Sequence, residues 1–407
     1  MTTIPSYPHD LFTEANIIEP YEHYRTLRRL GPLVWLEAQQ IYALPRYAEV
    51  RAALADPQTF CSGRGVGMND LVNEMGKGTT LFSDGEHHNR RRAVLSRRLS
   101  PRALRPMRES IQHAADELVE RLVAQGSFDA VADLAQALPL TVVPDLVGWP
   151  IDARDHLLEW AAASFDLLGP MNQRATDAMP HFQALIEFAS RTIAEGNLLP
   201  DGAAAEILNE VAHGGLAREQ AVPLIIDYMT PSLDTTISAI GSAILLFGRH
   251  PEQWDLLRED PKRIPNAFNE VVRMESPIRG FTRSLTAPTT VGGYQLKEGT
   301  RVLLLFASAN RDEQQWDRPD QFDITRDAGP HVGFGYGIHA CAGQNLARLE
   351  AQAVLRALVS RVERFELGTA VRGLNNIIYA LAELPVTIRR TDGLADARKE
   401  EPQRTSS

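Results

Sequence analysis

The chain has 407 residues, of which 44% are hydrophobic and 23% charged, and this composition is typical of a packed globular protein rather than a disordered one. Its formal net charge of −10 argues against a protein whose main partner is nucleic acid, because neutralising phosphates requires a basic surface. The start of the chain lacks the apolar segment of a signal peptide, and no later stretch approaches about 18 uninterrupted apolar residues, so we expect a cytoplasmic protein without a membrane span.

The first third of the chain mixes predicted short helices with predicted short strands. Hydrophobic spacing predicts a helix over residues 20–30, a hairpin made of strands 34–36 and 41–44, and a second helix over residues 47–55. Residues 61–85 are rich in glycine and small polar residues, and this composition predicts a long binding loop.

Residues 86–249 have helical spacing in nearly every segment. The longest predicted helix spans residues 216–249, which at 1.5 Å per residue is roughly 50 Å. Pro231 lies well inside this helix. Because proline has no N–H to donate, we expect Pro231 to kink the helix or to open a gap in its hydrogen bonds.

The rest of the chain alternates predicted helices, strands and loops. The predicted elements are a helix over residues 251–274, strands over 281–285, 290–291 and 301–306, and a final helix over 343–361. Neither an internal repeat nor a linker divides the sequence. We therefore predict one mainly α domain with small β-sheets over residues 1–390 and a polar, disordered tail over residues 391–407.

Chemistry is concentrated in residues 330–350, which read PHVGFGYGIHACAGQNLARLE. Three glycines at alternate positions precede Cys341, and glycines allow a backbone to approach a flat group closely. A helix follows the cysteine, and the N-terminal end of a helix favours a negatively charged sulfur. A buried apolar side chain is the other interpretation of a lone cysteine. GFGYG also suggests a phosphate-binding loop, but the strand and acidic residue of a dinucleotide site are not convincing here.

This segment resembles the haem-binding loop of the cytochromes P450. The matching residues are Phe334, Gly335, Gly337, His339, Cys341, Gly343, Ala347 and Arg348. Glu270 and Arg273 are similar to the Glu-x-x-Arg pair of this family, and residues 233–236 (LDTT) to its acid and alcohol motif. The resemblance implies the cytochrome P450 fold, with a long central helix that crosses the haem. It also implies haem b as the cofactor, with the Cys341 thiolate as the axial ligand of its iron.

Further roles are implied by the same resemblance. The haem propionates would be held by cationic donors, because burying carboxylates requires them; the matching residues are His88, Arg92, Arg283 and His339. Asp234 and Thr235 would deliver protons to bound oxygen, whereas the alternative is a solvated acid and a hydroxyl bonded back to a carbonyl. Glu270 and Arg273 would be structural, whereas the alternative is an ordinary surface pair.

The implied activity is that of a monooxygenase, which inserts one oxygen atom from O2 into an organic substrate. Its electrons would come from a separate iron–sulfur ferredoxin and an NAD(P)H-dependent reductase. A dense arginine-rich stretch could steer an acidic ferredoxin to the cysteine side, or it could form a solvated helix face; it comprises Arg90, Arg91, Arg92, Arg97, Arg98, Arg102, Arg105 and Arg108. A non-enzymatic haem sensor is the second class of function, and it would not need Asp234 and Thr235.

Several phrases, such as RYAEVRAAL and NAFNEVVRMESP, are more similar to one bacterial subfamily that oxidises para-substituted benzoates by O-demethylation or hydroxylation. The resemblance implies a small aromatic substrate. Phe165 and Phe281 match aromatic pocket positions, and Leu168 replaces a second phenylalanine. Thr230 is also predicted to line the pocket.

The carboxylate-binding positions of that subfamily depart from its pattern. Ile226 and Asp227 stand where an arginine and a serine are usual, and only Lys77 could match the loop arginine. Asp227 would repel a carboxylate. A benzoate, a phenol and an aryl ether therefore remain open as substrates, and a terpenoid remains the alternative. Pro231 and Ser232 also replace a small residue and a glycine, which predicts a wider or wetter oxygen groove.

Overall fold

Helices make up most of the chain in this computed structural model, which describes residues 3–391 apart from the side chains of residues 151–153. The predicted tail over residues 391–407 lies outside the described residues except for Thr391. The α-helices are α1 Glu14–Ile18, α2 Tyr21–Leu30, α3 Tyr47–Ala55, α4 Asp70–Met75, α5 Gly85–Leu99, α6 Pro101–Leu104, α7 Arg108–Gln125, α8 Pro139–Val147, α9 Leu157–Leu168, α10 Gln173–Glu195, α11 Ala203–Ala212, α12 Ala221–Met229, α13 Asp234–Arg249, α14 Pro251–Glu259, α15 Ile264–Met274, α16 Phe306–Ala309 and α17 Gln344–Val359.

Short strands form four small sheets among these described residues. The strands are β1 Ser6–Tyr7, β2 Val34–Leu36, β3 Ile41–Leu44, β4 Phe60–Cys61, β5 Ser127–Asp129, β6 Phe281–Leu285, β7 Thr289–Val291, β8 Tyr294–Leu296, β9 Arg301–Leu304, β10 Val362–Leu367, β11 Val371–Arg372, β12 Leu381–Glu383 and β13 Pro385–Arg390. The largest sheet has the order β1-β2-β3-β9-β6-β4, and a second has the order β10-β13-β5. Strands β11 and β12 form one pair, and β7 and β8 another. The prediction of a mainly α fold with small sheets is confirmed.

Helix α4 is the main departure from the predicted loop over residues 61–85. Asn69 begins this helix, because its side-chain oxygen accepts the backbone N–H of Val72 at 2.9 Å. The neighbouring Asn73 side chain accepts the N–H groups of Val66 and Gly67, which ties the loop to the helix. Side-chain capping therefore organises a segment whose composition alone indicated a loop.

The central helix is interrupted at Pro231, as its sequence predicted. Helices α12 and α13 are joined by a 3₁₀ turn at Thr230–Ser232, and a second such turn at Arg218–Gln220 precedes α12. The predicted helix over residues 216–249 is therefore not continuous. The cause is proline, which removes one donor from the hydrogen-bond ladder.

Two helical stretches are long and apolar enough to pass the test for a membrane span. They are Ala130–Val147 and Arg218–Arg249, and 61% and 72% of their most apolar windows are buried inside the molecule. Helix α13 is buried at every residue from Thr236 to Phe247. The apolar character of both stretches is therefore that of core helices.

A buried ion pair fixes helix α15 beneath the cysteine loop. The Arg273 guanidinium donates to both carboxylate oxygens of Glu270, at 2.6 and 2.8 Å, and both side chains are 0% exposed. Arg273 also donates to the carbonyls of Asn310 and Pro319, and Arg326 lies 3.3 Å from Glu270. This network joins α15 to the loop over residues 310–326, which excludes the alternative of a surface pair.

Candidate active site

One cavity of about 240 Å³ lies between the central helices and the cysteine loop. Helices α5, α9, α12 and α13 provide one side of it, and the residues around Cys341 provide the other. The cavity lining is mostly apolar, and it includes Arg92, Arg283, His339, Asp227 and Thr235 among its polar groups. The chain thus brings together in one place residues that are up to 293 positions apart in sequence, from Leu54 to Ala347.

The Cys341 sulfur is presented to this cavity by a tightly turned loop. The Cys341 N–H donates to the Phe334 carbonyl at 2.8 Å, and the Gly335 N–H donates to Val332 at 2.8 Å. The Arg348 guanidinium covers the outer face of the Phe334 ring at 4.4 Å from its centre. Backbone bonds and this stacked arginine therefore fix the position of the thiol.

The glycines of this loop are required by backbone conformation and by close packing. Gly335 and Gly337 have φ values of 67° and 69°, in the left-handed region that favours glycine. A Cβ atom on Gly337 would lie 2.5 Å from the Leu54 carbonyl oxygen of α3, and one on Gly333 would lie 2.6 Å from Val272 of α15. The expectation that these glycines face a flat group is thus refined: Gly333 and Gly335 line the cavity, whereas Gly337 packs against α3.

The charge environment of the thiol contains several groups that favour a thiolate. Burial raises the pKa of the Cys341 thiol above its ordinary value. Four groups lower this pKa and so oppose the effect of burial: the backbone N–H groups of Gly343 and Gln344 and the guanidinium groups of Arg92 and Arg348. These four groups would stabilise negative charge on the sulfur.

The four predicted anion-binding side chains lie together beside the cysteine. The rings of His88 and His339 are 4.4 Å apart, and the Nε2 atom of His88 is buried without a hydrogen-bond partner among the described residues. Arg92, Arg283 and His339 line the cavity. Burial lowers the pKa of the Arg283 guanidinium to about 10 and also lowers the pKa of Arg92. Buried cations of this kind indicate a site for an anionic group.

Of the acid and the alcohol at the start of α13, only the alcohol lines the cavity. Thr235 lines the cavity, and its hydroxyl donates to the Pro231 carbonyl at 2.7 Å, as the alternative interpretation allowed. Asp234 does not lie on the cavity lining. Burial raises the pKa of the Asp234 carboxyl to about 7, and the nearby Asp166 raises it further.

All but one of the residues predicted to form the substrate pocket line the cavity. Phe165, Leu168, Thr230, Asp227 and Phe281 all line the cavity. The Phe281 ring makes an edge-to-face contact with Phe306, at 5.9 Å between ring centres, and Phe306 was not predicted. Ile226 does not line the cavity. It is 7% exposed and packs in the hydrophobic core, because the next residue of the same helix turn, Asp227, is the one directed at the cavity.

A family model for cytochrome P450 matches residues 157–371, and the match covers more than half of the chain. The chain is also 39% identical over 390 residues to Cytochrome p450 CYP199A2 of Rhodopseudomonas palustris, with 95% of each chain covered. The chain belongs to the cytochrome P450 family. It is therefore an oxidoreductase of the monooxygenase type, and its fold class is that of this family.

Other cytochromes P450 are similar over nearly the whole chain. Linalool 8-monooxygenase of Pseudomonas putida is 29% identical over 400 residues, which cover 93% of this chain and 97% of that protein. The solved structure of cytochrome P450 CREJ in complex with (4-ethylphenyl) dihydrogen phosphate has a TM-score of 0.82 and 26% identity, and 94% and 99% of the two chains are covered.

The cofactor of the family is haem b, and the residues of this cavity fit it. Haem has an iron that accepts a sulfur ligand and two propionate carboxylates that need cationic partners. The cavity presents the Cys341 sulfur together with the partly buried Arg92 and the buried Arg283. The unpartnered Nε2 atom of His88 supplies a further polar atom beside His339.

Asp84 belongs to this site and was missed by the sequence analysis. Its carboxylate accepts the Gly63 N–H at 2.6 Å and the Cys61 thiol at 2.8 Å, and it lies 3.3 Å from His339 Nε2. Burial opposes ionisation of Asp84, but the hydrogen bonds from His339, Cys61 and the backbone outweigh burial and hold its pKa well below the usual range. Asp84 thereby orients His339. In the sequence, only its position immediately before α5 could have drawn attention to Asp84.

Proposed function

We propose that this cytochrome P450 hydroxylates or O-demethylates a small aromatic molecule. One observation carries this proposal: Phe165 and Leu168 of α9, Phe281 of β6 and Phe306 of α16 line the same cavity as the Cys341 sulfur. Aromatic and branched side chains around a cavity suit a planar ring, which they can contact by its faces and edges. The similarity to the benzoate-oxidising subfamily supports the same substrate class, with a terpenoid as the alternative.

In this proposal the residues of the chain hold the cofactor and manage protons. Cys341 would bind the iron, and Arg92, Arg283, His88 and His339 would hold the propionates. When bound, haem supplies the metal centre at which O2 is reduced. Thr235 would place a hydroxyl proton near that centre, and its bond to the Pro231 carbonyl fixes the position of its oxygen atom.

Asp234 would exchange protons between solvent and Thr235. A proton-delivering acid works best when its pKa is near the working pH. Burial, with a smaller contribution from Asp166, raises the pKa of Asp234 to about 7, which meets this requirement. A haem sensor would have no use for such an acid beside Thr235.

Electrons would come from a separate ferredoxin and an NAD(P)H-dependent reductase in the cytoplasm. Arg102, Arg105 and Arg108 are exposed at and beyond α6, whereas Arg97 and Arg98 are already paired with Glu210 and Glu206 of α11. The docking surface would therefore be the last three arginines of the predicted arginine-rich stretch, because their cations are available to an acidic partner.

The test is a titration of the purified haem protein, followed by the shift of its Soret absorption band. Small para-substituted aromatics, terpenes and fatty acids are compared as ligands. We expect the aromatics to displace the iron-bound water and shift the band at the lowest concentrations. The proposal fails if terpenes or fatty acids shift the band while no aromatic does so.

A further inference from the structure

We propose that the substrate of this cavity carries a hydrogen-bond donor, such as a hydroxyl or an ammonium group, which binds Asp227, and that carboxylates are rejected. This inference rests on the proposed oxidation of a small aromatic and names the polar group of that substrate. It goes beyond the sequence analysis, which left benzoates, phenols and ethers open.

Four of the six hydroxyl side chains that line the cavity have already committed their protons; the other two are Thr80 and Thr236. Each of the four donates to the carbonyl four residues earlier in the chain. These bonds are Ser164 to Trp160 at 2.8 Å, Thr230 to Ile226 at 3.3 Å, Ser232 to Tyr228 at 2.6 Å and Thr235 to Pro231 at 2.7 Å. A hydroxyl has only one proton, so Ser164, Thr230 and Ser232 offer lone pairs to a ligand and no proton, whereas Thr235 would release its bond to Pro231 when it passes its proton to the oxygen site.

Asp227 adds a carboxylate to this set of acceptors. It stands on α12 and lines the cavity, and one of its oxygens accepts the backbone N–H of Thr80 at 2.6 Å. A carboxylate has about four lone-pair positions. The N–H and the hydroxyl of Thr80 both act on the Asp227 carboxylate, and they leave lone pairs free for a ligand. Burial raises the pKa of Asp227 to about 6, whereas Thr80 and Arg91 act in the opposite direction. Thr80 and Arg91 thus favour the ionised form of Asp227.

The cations of the cavity are not placed to bind a substrate carboxylate next to Asp227. The charge of Arg92 interacts with the Cys341 sulfur, and the charge of Arg283 interacts with Asp84 and Cys61. Both arginines therefore belong to the cofactor side of the cavity. Lys77, the candidate from the sequence, is 61% exposed and forms an ion pair with Glu74. The positive charge of Arg91 lowers the pKa of Asp227, but the Arg91 side chain does not line the cavity.

A carboxylate on the lining without a cation beside it on the lining gives the cavity a clear chemical preference. A ligand that donates a hydrogen bond uses the free lone pairs of Asp227, whereas a ligand carboxylate meets a like charge and finds no lining cation outside the cofactor side. Sites built to bond a polar group discriminate strongly against analogues that lack it. We expect a preference of roughly tenfold or more for a donor over the matched apolar analogue.

The experiment compares ligands that share a scaffold and differ in one group. The aromatic set is para-methoxybenzyl alcohol, para-methoxytoluene and para-methoxybenzoate, and the terpenoid set is a terpene alcohol, its hydrocarbon and its acid. Dissociation constants are measured from the Soret shift of the haem protein. We expect the alcohol to bind roughly tenfold or more tightly than the hydrocarbon, and the carboxylate to bind most weakly.

Variants assign the preference to Asp227. In Asp227→Asn and Asp227→Ser the advantage of the alcohol should shrink, and binding of the benzoate should improve, because the like charge is gone. The matched control is Asp317→Asn, since Asp317 is 84% exposed and pairs only with its neighbour Arg318 among the ion pairs of the described chain. Each variant must retain the thiolate-type spectrum of its carbon monoxide complex, which shows that the haem site is folded.

The outcomes separate this inference from the proposed function. If the wild-type protein binds the benzoate as tightly as the alcohol, or if the variants keep the ranking of the wild type, the donor inference is overturned while an aromatic substrate stands. If only the terpene alcohol binds, and Asp227→Asn weakens it, the donor inference stands and the aromatic function fails. Absence of binding in both sets overturns both.

Discussion

At the scale of single residues, the charge of one buried carboxylate, Asp166, acts on a second one, Asp234. Asp166 of α9 receives the Asn376 N–H at 2.7 Å, and burial raises its pKa to about 6. Its charge in turn helps to raise the pKa of Asp234. This pair was not predicted, because the two residues are 68 positions apart and only the packing of α9 on the central helices brings them together.

Replacing Asp166 tests this pairing through the pH dependence of catalysis. The proton donor must be protonated, so product formation should fall as the pH rises through the pKa of Asp234, at about 7. Asp166→Asn removes a negative charge and should lower the pKa of Asp234, which shifts this decline towards lower pH. The measurement is product formed per NAD(P)H oxidised as a function of pH. An unshifted decline in the variant, with Asp317→Asn as the control, would refute the pairing.

At the scale of elements, local sequence patterns predicted the mainly helical character of the chain and five of the thirteen strands in its described part, and the departures at α4 and Ile226 have physical causes. Helices α2 and α3 and the β2–β3 hairpin match their predicted ranges within one residue. The composition of residues 61–85 concealed α4, which depends on side-chain bonds from Asn69 and Asn73. Ile226 was assigned to the pocket from its position alone, whereas the rotation of α12 is set by tertiary packing.

Helix α15 is held in place by the Glu270–Arg273 pair, so breaking this pair should strongly destabilise the folded protein. Arg273→Ala leaves the Glu270 carboxylate buried, with Arg326 as its remaining ion-pair partner in the described chain. Breaking a fully buried pair by removing one partner lowers the free energy of unfolding by about 3–5 kcal/mol. Urea unfolding of the haem protein measures this change. Arg318→Ala, at a residue that is 62% exposed, is the control and should differ little from wild type; a similar stability for both variants would contradict the structural role of Arg273.

At the scale of the whole molecule, a net charge of −10 contrasts with an exposed cluster of arginines beside the cysteine side of the fold. Sequence alone singled out this cluster, together with the cysteine loop and the four side chains proposed to bind the propionates, because each lies within a contiguous motif. It did not predict Asp84, Phe306 or the acceptor-rich lining of the cavity. Those features arise from contacts between distant segments, and no local pattern marks them.

Charge reversal tests the proposed docking surface for the ferredoxin. The triple variant of Arg102→Glu, Arg105→Glu and Arg108→Glu should raise the KM for an acidic ferredoxin roughly tenfold or more at low salt, because like charges slow association. The difference from wild type should shrink at high ionic strength. The ligand-induced Soret shift should remain unchanged. Arg389→Glu, at a residue that is 61% exposed on β13, is the control; an equal effect of both variants would exclude a specific surface.

The central claim is that Cys341 is the ligand of the haem iron, and the visible spectrum of the reduced carbon monoxide complex tests it most directly. The described chain offers only one other thiol, Cys61, which is buried and bonded to Asp84. We expect the thiolate-type band in the wild-type protein and in Cys61→Ala, and we expect its loss in Cys341→Ser. A thiolate-type band that persists in Cys341→Ser, or that disappears in Cys61→Ala while haem is retained, would contradict this account.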